Sequence, residues 1–154
     1  MKRSAVAVTL VTLVFSLVSV TGAAAASRSD DLDPRIVYAL KAEPGGVVIG
    51  EHQVYWPHLE MTLTLPEYGP RGLSTQCPVG TICAFLLTNE GGTRLTWGAC
   101  GTYPTTALPT VGSVASARPT GSVQARNGTT VVATASAGNF VNVFAATNNV
   151  RCIA

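Results

Sequence analysis

Four cysteines, two histidines and a thin scatter of acids are the side chains of this sequence that could do chemistry. Cys77, Cys83, Cys100 and Cys152 are even in number. Structural zinc sites draw thiolates from short C-x2-4-C pairs, and the Cys77-x5-Cys83 spacing is too wide for one. In an exported chain such a set reads as two disulfides. Three pairings are possible. Cys77–Cys83 with Cys100–Cys152 is the favoured one, because Pro78 and Gly80 let the short segment double back. The second bond would tie the C-terminus to the middle of the domain.

His52, His58 and Glu60 are the other set to weigh. Even spacing on a strand places His58 and Glu60 on one face, with His52 as a third ligand. Pro57 interrupts that geometry and no fourth ligand is in sight, so they read as solvated polar residues around a turn, with no metal. Catalytic signatures are missing: no G-x-S-x-G elbow, no H-E-x-x-H and no phosphate-cradling glycine loop. Residues 77–154 hold no histidine, lysine or aspartate, and Glu90 is their one acid. General acid–base catalysis there has almost nothing to work with, so an enzyme is not expected and no cofactor is implied. Asn127-Gly128-Thr129 matches a glycosylation sequon, but Asn-Gly is also the strongest hairpin signal in the chain, and the turn reading is preferred. Trp56 and Trp97 read as core residues before ligand platforms.

The elements that must position these groups are short. Asp33-Pro34 is an N-cap followed by proline at the first helical position. Ile36, Val37 and Leu40 follow at helical spacing, and Glu43-Pro44-Gly45-Gly46 stops a helix over about 34–42. Strands are predicted at 47–49, 53–56 and 59–65. Residues 66–73, with two prolines and two glycines, suggest a linker. Beyond Cys77 the pattern is all-β: 82–87, a turn at 89–92, 93–97, a loop at 101–109, then 111–118, 122–126, 129–135, 140–145 and 150–153. The division expected is a signal peptide at 1–26, a small helix and hairpin lobe at 27–66, a linker at 67–76 and a disulfide-bonded β domain at 77–154.

Lys2 and Arg3, the apolar run of residues 5–20 and the small residues Gly22 to Ala26 form the three parts of a secretory signal peptide. The run is short of the about 20 residues that span a bilayer. A soluble, extracellular product is expected, with no membrane contact after cleavage. Only 12% of the residues are charged, about half the soluble average. Past residue 26, eight bases balance eight acids. Four scattered arginines after residue 76 make no phosphate track, so nucleic acid is not an expected partner.

Cys77-Pro78-Val79-Gly80-Thr81-Ile82-Cys83-Ala84-Phe85 resembles the C-P-x-G-x-x-C-L-[YWF] opening of a family of small secreted actinobacterial proteins. Its name-giving members inhibit metalloproteinases, and their fold is related to the βγ-crystallin Greek key. Asn89, Gly92, the strand 93–97 and Cys100 follow in the family's order. Pro44-Gly45-Gly46, Trp56 and Leu63-Thr64-Leu65 resemble the leader of related proteins. Glu90 stands where the family has an aromatic. The family's calcium pattern is not formed at Gly112-Ser113-Val114-Ala115-Ser116. The resemblance implies a mostly β, βγ-crystallin-like Greek-key sandwich with a small N-terminal helix and hairpin lobe. It also implies a secreted inhibitor of metallopeptidases that offers a rigid exposed loop. The loop candidate is 101–109, centred on Thr102, Tyr103, Pro104 and Thr105. The alternative is a non-catalytic cell-envelope or glycan-binding module, or a secreted antagonistic protein, on the same fold.

Overall fold

A computed structural model describes residues 32–66 and 76–154. The signal peptide assigned to 1–26 and nearly all of the linker at 67–76 lie outside the described residues. Among the described residues one α-helix, α1 (Pro34–Ala42), precedes eleven strands. Its start follows from Asp33, whose side chain accepts the Arg35 backbone N–H at 2.8 Å while Pro34 occupies the first turn. That satisfies one of the four orphan donors of a helix start. Gly45, at φ 88°, turns the chain away after it. Ile36 and Ala39 bury the inner face.

The strands are β1 (Val47–Gly50), β2 (Gln53–Trp56), β3 (Met61–Thr64), β4 (Ile82–Phe85), β5 (Arg94–Trp97), β6 (Thr102–Pro104), β7 (Ser113–Ser116), β8 (Ser122–Asn127), β9 (Thr130–Ser136), β10 (Asn139–Asn142) and β11 (Asn149–Ile153). They form two antiparallel sheets, ordered β1-β2-β3-β5-β4-β7-β10 and β6-β11-β8-β9. The mostly β class is therefore as expected. β3 begins two residues later than the predicted strand, because Pro57–Leu59 closes a 3₁₀ turn that leaves Glu60 left-handed at φ 47°.

The pairing of β3 with β5 joins the N-terminal segment to the cysteine-bearing one: Met61 lies opposite Trp97 and Leu63 opposite Leu95. Alternation along each strand then decides what faces inward. Val54, Trp56, Met61, Leu63, Ile82, Ala84, Leu95, Trp97 and Val114 meet Val123, Ala125 and Val150 of the second sheet in one core, together with Ile36 and Ala39. α1 and β1 to β3 thus share one core with the strands after Cys77. The opposite face of the first sheet carries a smaller cluster of Cys83, Phe85 and Ala115, with Cys77 packed on it.

Candidate functional site

Both disulfides are formed, as Cys77–Cys83 with Cα atoms 5.8 Å apart and Cys100–Cys152 with Cα atoms 5.0 Å apart. The second anchors the segment expected to act. Residues 101–109 were expected as a loop, but they contain β6, an edge strand. Register explains it: Thr102, Tyr103 and Pro104 pair with Arg151, Val150 and Asn149, and the Cys152 N–H donates to the Gly101 carbonyl at 2.8 Å. Proline is tolerated at such an edge because the donor it lacks is not needed there.

Alternation along β6 separates its side chains. Thr102 and Pro104 lie on the outer face, with Thr102 exposed. Tyr103 faces inward and stacks on Trp97, ring centroids 5.4 Å apart. The Tyr103 hydroxyl donates to the Ala99 carbonyl at 3.1 Å. Burial pushes the Tyr103 phenol above its usual range; the Glu60 carboxylate adds to the push and Arg118 opposes it. A Cβ on Gly101 would stand 2.8 Å from that ring, so a side chain there would have to displace Tyr103. Thr105 is only 2% exposed, and its N–H donates to the Asn148 carbonyl. Thr105 therefore supports the segment from beneath. Ala107 and Leu108 are buried and, with Pro34, Arg35 and Tyr38 of α1, line an apolar hollow of about 180 Å³.

The chain matches no family model, no curated protein and no solved structure.

The remaining sequence candidates separate in space. His58 Nε2 lies 3.9 Å from the Glu43 carboxylate, and no group of three or more His, Cys, Asp or Glu side chains gathers among the described residues. Trp56 is fully buried and donates from Nε1 to the Glu43 carbonyl at 2.7 Å. Trp97 is fully buried as well. The β8–β9 hairpin departs from expectation. Asn127 pairs with Thr130, so the two loop residues are Gly128 and Thr129. Gly128 alone takes positive φ, at 60°, in the first loop position where II′ turns place glycine. Asn127 stays in the strand, and its side-chain carbonyl accepts from Asn148 Nδ2 at 3.2 Å.

The turn at residues 88–91 carries geometry that its sequence did not announce. Asn89 and Glu90 are both left-handed, at φ 55° and 56°, a conformation that costs an ordinary residue roughly 1–2 kcal/mol. Asn tolerates it; Glu has no such excuse. Long-range partners hold it. The Asn89 N–H donates to Asn142 Oδ1 at 2.8 Å, and Asn142 Nδ2 returns a bond to Asn89 Oδ1 at 3.1 Å. The Glu90 N–H donates to Ser113 Oγ at 3.0 Å, whose hydroxyl donates onward to the Leu87 carbonyl at 2.8 Å.

Proposed function

We propose that the chain is a secreted, non-catalytic inhibitor of metallopeptidases, built on a Greek key of βγ-crystallin type, with Thr102 and Pro104 as its contact residues. The observation that carries this reading is the state of β6. It is extended, has one strand neighbour in its sheet, and is held at its start by Cys100–Cys152 and from below by the Trp97–Tyr103 stack. A peptidase cleft reads its substrates as extended backbone, and a ready-made edge strand can add to it as another strand. Such a segment loses little conformational freedom on binding, so more of the contact energy remains as affinity. Two closed disulfides fit an oxidising, extracellular setting, and no helix among the described residues is long and apolar enough to cross a membrane.

The test is titration of the disulfide-bonded protein against a panel of secreted metallopeptidases, thermolysin-like enzymes included. Saturable inhibition that Thr102→Asp weakens, with folding intact by circular dichroism, is the expected result. No inhibition at micromolar protein across the panel would overturn the reading.

A further inference from the structure

A cleft of about 180 Å³ opens on the outer face of the first sheet, away from β6, lined by Gln76, Cys77, Glu90, Ala115, Gly138 and Phe140 among others. The register builds it. Phe140 on β10, the last strand of the sheet, lies opposite Ala115, which lies opposite Cys83. A half-exposed ring (46%) therefore stands at one wall beside an apolar floor. The Cys77–Cys83 bond fixes the neighbouring wall. Glu90, the one acid of residues 77–154, forms part of the lining, and Cys77 N–H lies 3.4 Å from its Oε1. That carboxylate is brought there by a left-handed backbone tied to Asn142 and Ser113. A costly conformation held by partners far along the chain is a mark of a functional position.

We propose that this cleft binds one ring of a neutral saccharide. An exposed aromatic face suits the apolar C–H face of a sugar ring, and a carboxylate beside it accepts from two hydroxyls at once. The volume is below the about 300 Å³ at which pockets for larger ligands begin, which limits the fit to a single ring. Charge decides against a cation. Arg94 lies within Coulombic reach of Glu90, and its Nη1 donates to the Gln76 carbonyl on the rim, so the local charge is already balanced. The site is separate from β6, and each can fail without the other.

The experiment is a titration of the disulfide-bonded protein, followed by amide NMR, with chitotriose and cellotriose as probes and N-acetyl-lysine amide as the cationic comparison. Shifts confined to the amides of Gln76, Glu90, Gly138 and Phe140 on adding either sugar at millimolar concentration are expected. Phe140→Ala should weaken binding by about tenfold or more, and Phe140→Tyr should restore it. Glu90→Gly removes the carboxylate while suiting the left-handed backbone, so a folded variant with weakened sugar binding completes the case. No shifts with either sugar, shifts elsewhere on the surface, or a stronger response to the lysine derivative would each overturn the proposal.

Discussion

The two disulfides brace the molecule in different ways. Cys77–Cys83 spans a sequence separation of 6 and Cys100–Cys152 one of 52. In the chain-entropy account, the short loop contributes about 2 kcal/mol and the long one about 4 kcal/mol. The short bond closes ends that a sequence-local turn already brings near, yet it packs on Phe85 and Ala115 and fixes one wall of a cleft. The long bond joins the start of β6 to the last strand, where no local geometry would hold them. Arg118 ties the two regions together, its Nη1 donating to the Gly98 carbonyl at 2.9 Å with the Gly80 carbonyl at 3.4 Å. A local crosslink here shapes a surface; a distant one sets topology.

The comparison breaks most visibly on removing the distant bond. Cys100→Ala with Cys152→Ala should lower stability by about 4 kcal/mol and the melting temperature by more than about 10 °C, read by thermal denaturation. A loss no greater than that of the other pair would mean that β6 and β11 hold each other without help. Cys77→Ala with Cys83→Ala should cost about 2 kcal/mol by chain entropy, measured in the same way. Its sharper signature is local, since amide exchange at position 77 and at Glu90 should accelerate while β11 stays protected.

The smallest effect lies at neither bond. Arg35 holds the Asp33 carboxylate below its usual range, chiefly through the guanidinium hydrogen bond, with burial opposing. A folded-state pKa below the unfolded one gives stability that is present above the usual value of about 3.9 and is lost as pH falls through the folded value. The pair is partly exposed, so the effect should stay under about 1 kcal/mol. Asp33→Asn keeps a capping oxygen and removes the charge. Its melting temperature should lie slightly below that of the parent at neutral pH and converge with it in strong acid. A gap that persists in acid would place the effect in capping instead.

Much of the local structure was legible. α1 begins and ends where Asp33-Pro34 and Glu43-Pro44-Gly45-Gly46 predict, because caps and breakers act through neighbours in the chain. The disulfide partners followed from what Pro78 and Gly80 allow. What escaped was set by distant contacts. β6 is three residues long and ends in proline, so nothing local distinguishes it from a loop until β11 lies alongside. The β3–β5 pairing has no local signature at all, so the sequence does not announce that the N-terminal strands share a core with those after Cys77. The sequence singles out Thr102, Tyr103, Pro104 and Thr105 only as one stretch. Which of them face outward depended on the register against β11. The left-handed Glu90 was hidden for the same reason, since its partners Asn142 and Ser113 lie far along the chain.

The closure from Cys100 to Cys152 has a consequence for what a peptidase could achieve by cutting β6. A single cut at any peptide bond between those two cysteines leaves one covalent molecule, because the bridge still joins the pieces. The new ends beside Thr102 would stay paired with β11 and seated over Trp97. Held at the high effective concentration of a tether, they could not diffuse apart as the two pieces of an uncrosslinked chain do. Hydrolysis would then be a nick in a closed ring, open to resealing, and not a severance of the molecule.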